Sequence, residues 1–205
     1  MTGKIRTAVL VSGGGTNLQA LLDAEQAGQM PHVEFVSVIS SRSDAYALER
    51  AKKAGVPTRV APRKGQSQEA FEAQLLSYLH QDGAEMIVLA GFMSILSADF
   101  VARWPRRILN VHPALLPAFG GKGFYGLHVH EAALERGVKV TGATVHYVTE
   151  IADGGEIILQ KAVDVLPGDT PESLQRRVME QAEWQLLPRA AELAAREIME
   201  KSEEC

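Results

Sequence analysis

The chain has 205 residues, of which 46% are hydrophobic and 22% charged, and its formal net charge is −4 at pH 7. This balance is typical of one globular domain, here residues 1–205, and it argues against a broad nucleic-acid-binding surface. The single cysteine, Cys205, excludes an internal disulfide, and no apolar run suits a signal peptide or a membrane span, so we expect a cytoplasmic protein.

The first half of the sequence alternates apolar runs with helical patterns. Such alternation predicts right-handed βαβ crossovers and a mostly parallel, Rossmann-like α/β sheet with flanking helices. The predicted strands of this half are 7–11, 33–40, 57–60, 85–92 and 107–112. The predicted helices between them are 17–28, 44–55 and 67–83.

After residue 137 the pattern changes. The segments 139–148 and 156–166 are rich in Val, Ile and Thr, and they predict antiparallel strands toward the C-terminal part. Thr170 and Pro171 predict the start of a helix, with a capping residue followed by a first-turn proline. Pro188 is expected to interrupt or kink the C-terminal helical segment.

The turn "SGGGTN", residues 12–17, joins the first predicted strand to the first predicted helix. Free N–H groups at a helix start bind anions, and three consecutive glycines let a ligand approach the backbone closely. The alternative is a tight turn that Thr16 or Asn17 merely caps. Leu18 stands where a dinucleotide fingerprint needs glycine, so the turn favours a phosphate monoester, although Arg42 could meet an NADP 2′-phosphate.

Asn110 and His112 lie two residues apart at the end of a predicted strand, so their side chains share one face. Pro113 ends the strand there. Ligands of open α/β sheets bind beyond the carboxyl ends of the strands, which is also where the glycine turn lies. The pair therefore predicts hydrogen-bond donors for a ligand, and the alternative is a buried histidine bonded to backbone.

Asp153 precedes two glycines between the last two predicted strands. An Asp-Gly hairpin turn would explain it, but the connection is longer than a minimal hairpin needs. A carboxylate beside His112 would raise the pKa of the imidazole and orient it. A charged His112 could then stabilise an oxyanion.

These features together resemble the folate-dependent formyltransferases, over about residues 5–190. The segments that carry the resemblance are 12–17, 89–97, 109–117 and 144–160. It implies a formyltransferase fold and transfer of the formyl group of 10-formyltetrahydrofolate to the amine of 5′-phosphoribosylglycinamide in de novo purine biosynthesis. It further implies only small-molecule substrates, no metal, no nucleic-acid or membrane partner, and a monomer or homodimer.

The resemblance also implies roles for individual residues. The implied catalytic residues are Asn110, His112 and Asp153, and His146 is a further site residue. The substrate would be bound at its phosphate by Gly15, Thr16 and Asn17 and at its ribose by Glu183. The implied folate-binding residues are Gln68, Met93, Ser94, Ile95, Leu96 and Asn110. The alternatives are a strand residue packed under the site for His146, a solvated helix face for Glu183 and ordinary core for the 92–96 segment.

Two features depart from the family pattern. Some relatives carry arginine where Gln68 or Ser94 stands, so Lys64 or Arg63 would have to supply the charge that meets the folate tail. The glycine-rich segment 119–126 is longer than in some relatives, and we interpret it as a mobile flap on the substrate side, the alternative being a passive connector.

Three other functions compete. A formyltetrahydrofolate hydrolase would share the catalytic residues but need no phosphate turn. A formyltransferase acting on initiator tRNA would call for a further, basic C-terminal domain. An NADP-binding oxidoreductase or a simple nucleotide-binding module would use the glycine turn and leave Asn110, His112 and Asp153 unexplained.

Overall fold

The computed structural model describes residues 3–203; Cys205 and the prediction attached to it lie outside that range. The strands are β1 (Ile5–Val11), β2 (Val33–Ser40), β3 (Thr58–Val60), β4 (Met86–Leu89), β5 (Ile108–His112), β6 (Val140–Tyr147) and β7 (Ile157–Asp164). The helices are α1 (Thr16–Gln26), α2 (Ala47–Lys53), α3 (Gln68–Gln81), α4 (Ala98–Ala102), α5 (Leu127–Arg136), α6 (Pro171–Val178) and α7 (Trp184–Glu203).

The seven strands form one sheet in the order β3-β2-β1-β4-β5-β6-β7. The first five strands of that order are parallel, whereas β6 runs antiparallel to β5 and β7 antiparallel to β6. The predicted sheet, mostly parallel with antiparallel strands toward the C-terminal part, is confirmed. The chain leaves β1 in one direction and returns to β4 on its other side, so the strand order reverses between these two strands. Ligands of such sheets bind at this reversal.

Helices cover both faces of the sheet. Because side chains alternate along a strand, Ala8 and Leu10 of β1 pack under α3 and α4, while Val9 and Val11 pack under the other helices. Phe71 of α3 is fully buried in the smaller of the two cores. No helix within residues 3–203 has both the length and the apolar character needed to cross a bilayer.

The structure differs from the predicted elements mainly at their ends. The strand predicted over 85–92 ends at Leu89, and the apolar residues beyond it form a loop. Helices α4 and α5 were not predicted. The first has only five residues after its Ser97 cap, and the second begins at a glycine without a side-chain cap, so neither gives a strong sequence signal.

The C-terminal helices follow the predicted start but not the predicted interruption. Thr170 caps α6 in a reciprocal bond pattern with Ser173, and Pro171 occupies the first turn. Helix α7 runs through Pro188 to Glu203, so the expected interruption at this proline is wrong, and the alternative of a kink stays a prediction. The irregularity lies instead in a π-helical turn, Met179–Glu183, directly before α7. Such turns are frequent at functional sites.

A glycine in β6 sets how closely the last two strands pack. A Cβ atom added to Gly142 would lie 2.0 Å from the carbonyl oxygen of Lys161 on β7 and 2.9 Å from the Leu115 side chain. We expect Gly142→Ala to lower the free energy of unfolding by about 2 kcal/mol, because the strands must separate. Urea denaturation measures this change. Gly3→Ala is the matched control, since its Cβ meets nothing within 4 Å, and equal midpoints for the two variants would contradict the prediction.

Candidate active site

The candidate site lies where the sheet order reverses, at the carboxyl ends of β1, β4 and β5. The glycine turn 12–17 follows β1, the loop 90–97 follows β4, and His112 ends β5. The connection between β6 and β7 brings Asp153 to the same edge. The first two segments touch directly, because the Met93 amide donates a hydrogen bond to Ser12 Oγ at 2.9 Å.

The glycine turn leaves the start of α1 uncapped. No side-chain oxygen within residues 3–203 caps this end, so the alternative in which Thr16 or Asn17 caps the turn is wrong. Gly15 has a φ of 75°, and its added Cβ would lie 2.7 Å from the Ala47 side chain. A Cβ on Gly13 or Gly14 would meet no atom within 4 Å. Unused amides, the positive helix end and open space above two glycines suit an anion.

Asn17 and Glu183 form a buried pair between α1 and the π-helical turn. The Asn17 amide donates to Glu183 Oε2 at 2.7 Å, while Asn17 Oδ1 is buried with no hydrogen-bond partner among residues 3–203. Burial raises the pKa of Glu183 to about 7, although the bond from Asn17 lowers it. Glu183 is only 6% exposed, so it does not belong to a solvated helix face.

His112 is buried between two oxygen acceptors. Its Nε2–H donates to the carbonyl oxygen of Phe119 at 2.7 Å, and its Nδ1 lies 3.6 Å from Asp153 Oδ2. Burial lowers the pKa of His112 by more than the Asp153 charge raises it. The expected net increase in the pKa of His112 is therefore wrong for the chain alone, because desolvation outweighs the ion pair. The acceptors still orient the ring and favour its charged form.

Asp153 has a positive φ of 54° and contacts three segments of the chain. Its Oδ2 accepts the Gly121 amide at 2.8 Å, and its Oδ1 lies 3.6 Å from His146 Nε2. Burial by itself would raise the pKa of Asp153, but His146, the Gly121 amide and His112 together lower it. The two glycines that follow are sterically required at this turn: a Cβ on Gly155 would lie 1.7 Å from a β6 carbonyl oxygen.

Asn110 and His146 face each other across β5 and β6. His146 Nδ1–H donates to the Tyr147 carbonyl at 2.9 Å, and its Nε2 lies 3.3 Å from the Asn110 amide nitrogen and 3.6 Å from Asp153 Oδ1. His146 is buried beneath the site and orients Asn110, whose second amide hydrogen stays available. Among residues 3–203, no group of three or more His, Cys, Asp or Glu side chains is placed to hold a metal ion.

The loop after β4 presents apolar side chains to solvent. Met93 is 59% and Ile95 82% exposed, so the alternative that treats this segment as ordinary core is wrong for these two residues. Leu96 packs against the smaller core instead, and Ser94 is partly exposed. Gln68 donates to the Ile95 carbonyl at 2.9 Å, so its side chain holds the loop from behind.

A cavity of about 820 Å³ adjoins this loop. Its walls combine small hydroxyl side chains with cationic ones and one carboxylate, Asp44, which is paired with Arg42. Residues that line it include Ser12, Ser41, Arg42, Arg63, Lys64 and Met93. Arg63 donates to Gln68 Oε1 at 3.1 Å, so positive charge lies directly behind the residue that stands where some relatives carry arginine.

The segment 119–126 contacts both ionisable groups of the site through its backbone. The Phe119 carbonyl accepts from His112, and the Gly121 amide donates to Asp153. These contacts place the segment at the site, and its movement stays a prediction. The density of glycine marks this segment in the sequence, but the two backbone groups that reach the site leave no sequence signal.

Comparisons with known proteins show the family to which this fold belongs. Residues 5–191 match the formyl transferase family. A phosphoribosylglycinamide formyltransferase of Haemophilus influenzae is 42% identical over 184 residues, which cover 89% of this chain and 84% of that relative. The crystal structure of glycinamide ribonucleotide transformylase 1 from Symbiobacterium toebii has a TM-score of 0.87 at 46% identity, covering 94% of this chain and 88% of that one.

Longer proteins also contain this domain. A trifunctional purine biosynthetic protein of Drosophila pseudoobscura is 47% identical over 192 residues, covering 93% of this chain but 14% of that relative. The chain spans less than a fifth of the length of the trifunctional relatives it matches. The match to the family covers most of the chain, and the chain belongs to the formyl transferase family.

Proposed function

We propose that the chain transfers the formyl group of 10-formyltetrahydrofolate to the amine of 5′-phosphoribosylglycinamide, giving the N-formyl product in purine biosynthesis. The observation that carries this proposal is an uncapped glycine turn at the same sheet edge as the His112–Asp153 pair. The first feature suits a phosphate, and the second suits acyl transfer to a neighbouring amine. Family membership and the names of the relatives support the same activity.

The phosphorylated substrate would lie across the start of α1. Backbone amides at Gly15, Thr16 and Asn17 would hold the phosphate, where the helix dipole favours negative charge. Glu183 would accept hydrogen bonds from the ribose hydroxyls, and the unpaired Asn17 Oδ1 would accept another. This orientation leaves the substrate amine free to extend toward His112.

The folate would lie on the other side of the same edge. Met93, Ile95 and Leu96 would form the apolar surface against its pterin ring, with Ser94 and Asn110 as polar contacts. Gln68 would act by holding the Ile95 backbone. The carboxylates of the folate tail would enter the cationic cavity beside Lys64, which takes the place of the arginines seen in some relatives.

In the proposed reaction, the amine nitrogen attacks the formyl carbon and the carbonyl oxygen becomes an oxyanion. The free Asn110 amide hydrogen and the His112 ring donate to that oxygen. The negative charge raises the proton affinity of His112. Water relays the proton of the attacking amine to His112 Nδ1, where Asp153 stabilises the imidazolium. The C–N10 bond then breaks, and His112 returns the proton to N10 through water.

The flap formed by residues 119–126 must move during this sequence. In the chain alone, His112 Nε2–H is bonded to the Phe119 carbonyl, so this donor is already occupied. For the ring to donate to an oxyanion from Nε2, the carbonyl has to give way. Substrate binding would therefore be coupled to a change in the flap.

A formyltetrahydrofolate hydrolase is the alternative function, since water could replace the amine in the same site. The uncapped glycine turn favours the transferase, because hydrolysis involves no phosphorylated acceptor. The test follows tetrahydrofolate release by absorbance, with and without 5′-phosphoribosylglycinamide. Tetrahydrofolate release that requires 5′-phosphoribosylglycinamide supports the proposal. Equal release with and without this acceptor would establish the hydrolase instead.

Asp153→Asn tests the charge beside His112. Asparagine keeps the size and the acceptor for Gly121, but it removes the charge that stabilises the imidazolium. We expect kcat to fall roughly 10²–10³-fold with an unchanged melting temperature. Asp164→Asn, an exposed residue at the far end of the same strand pair, is the matched control and should keep full activity. Full activity in Asp153→Asn would refute the assigned role.

Gly14→Ala tests the phosphate site. The added methyl group meets no protein atom within 4 Å, so stability should not change. It would project into the space proposed for the phosphate, and KM for the phosphorylated substrate should rise about tenfold, with KM for the formyl folate unchanged. Steady-state kinetics with each substrate varied in turn measures both values. Equal changes in the two KM values would argue against a phosphate at this turn.

Glu183→Gln tests the buried acid through the pH dependence of stability. Burial raises the pKa of Glu183 from 4.5 to about 7. Between these values the folded chain binds more protons than the unfolded one, so this contribution is complete below pH 4.5 and is lost as pH rises to about 7. From pH 5 to pH 8 the wild type should lose on the order of 2 kcal/mol more stability than the variant.

Urea denaturation of both proteins at pH 5 and pH 8 gives this difference directly. Glu180→Gln, an exposed residue of the same π-helical turn, should behave as wild type. Parallel pH profiles for wild type and Glu183→Gln would show that Glu183 is ionised in the folded chain throughout this range.

A further inference from the structure

The loop formed by residues 93–97 keeps its shape although two of its apolar side chains are in solvent. Met93 and Ile95 are among the most exposed large hydrophobic residues described. Exposed apolar groups gain nothing from burial, so they do not hold the loop in place. Its conformation must come from polar contacts to the backbone and from Leu96, the one large side chain that packs inward.

Glu72 links two of those contacts, because it binds Ser97 directly and also binds the Gln68 side chain that holds Ile95. Glu72 belongs to α3 and is 8% exposed. Its Oε1 accepts from the Ser97 amide at 2.6 Å and from the Gln68 side-chain amide at 2.6 Å, while its Oε2 accepts from Ser97 Oγ at 2.6 Å. All three donors belong to the loop or to the residue that binds its middle. A carboxylate is acceptor-only, so it suits this set of donors.

The contacts extend along the whole loop. Gln68 uses the same amide nitrogen to donate to the Ile95 carbonyl at 2.9 Å, which fixes the middle of the loop. Ser97 Oγ also accepts the Phe100 amide and so caps α4. The first residue is held separately, by the bond from the Met93 amide to Ser12. Glu72 is thus common to the middle and the end of the loop.

We propose that Glu72 is a positioning residue that sets the affinity for the formyl folate. It holds the 93–97 loop with Met93 and Ile95 directed outward, and it does not itself contact the folate. Contacts within the protein order the loop before the ligand binds. Binding then does not carry the free-energy cost of ordering the loop, and this preorganisation raises the affinity. This inference rests on the proposed function, because it takes the exposed apolar surface to be the folate site.

Two substitutions at position 72 separate positioning from folding. Glu72→Ala removes all three acceptor contacts, and we expect KM for 10-formyltetrahydrofolate to rise about tenfold while KM for 5′-phosphoribosylglycinamide changes less than about twofold. Glu72→Gln keeps one oxygen for the Ser97 and Gln68 donors, and its amide can donate to Ser97 Oγ, so it should restore most of the affinity. Glu69→Ala, at an exposed position of the same helix, is the control.

A purely structural role would give a different result. Partial unfolding lowers the concentration of active enzyme and hence the apparent kcat, without a selective change in one KM. Unchanged KM for the formyl folate in folded Glu72→Ala would therefore overturn the proposal, and so would equal changes in both KM values. If Glu72→Ala does not fold, Gln68→Met replaces it, since this half-exposed residue carries the link to Ile95.

Binding of tetrahydrofolate, measured by calorimetry, keeps this test independent of turnover. Weaker binding to Glu72→Ala than to the wild type supports the positioning role even if no formyl transfer to the amine is found, in which case only the proposed function fails. A wild type that does not bind tetrahydrofolate overturns both. Equal binding by wild type and Glu72→Ala overturns the positioning role alone.

Discussion

The arrangement of the site depends on one half-buried carboxylate. Asp153 brings a negative charge into a place where burial is costly unless donors compensate it. The compensating groups come from three separate segments: His112 at the end of β5, His146 on β6 and the Gly121 amide of the flap. The end of β5, strand β6 and the flap therefore all meet at one carboxylate.

Burial shifts the pKa values of two site residues in the directions that favour their neutral forms. The pKa of His112 is lowered and that of Glu183 is raised to about 7, in both cases chiefly by desolvation. An imidazole that resists protonation and an acid that resists ionisation reduce the charge of the chain alone. A developing oxyanion near His112 would favour the imidazolium, so electrostatic complementarity to the proposed reaction is greatest when the site is occupied.

Much of the fold was predictable because it depends on local patterns. Alternating apolar runs and helices predicted the parallel sheet, and the spacing of Asn110 and His112 placed both at its ligand-binding edge. The short extent of β4 was not predictable, since an apolar run does not show which of its residues will face solvent. The Phe119 carbonyl and the Gly121 amide carry no side-chain signature, and the sign of the pKa shift of His112 depends on three-dimensional burial.

The two halves of the site are held by different kinds of contact. The 93–97 loop is anchored by Glu72 and Ser12, groups that the proposed chemistry does not use, so a formyl folate bound as proposed would not disturb them. The flap is anchored by His112 and Asp153, which the chemistry does use. In the proposed reaction the donor side would therefore be preorganised, whereas the oxyanion side would be complete only once the flap moves. In such a site, coupling flap movement to the phosphorylated amine would keep bound formyl folate from reacting with water.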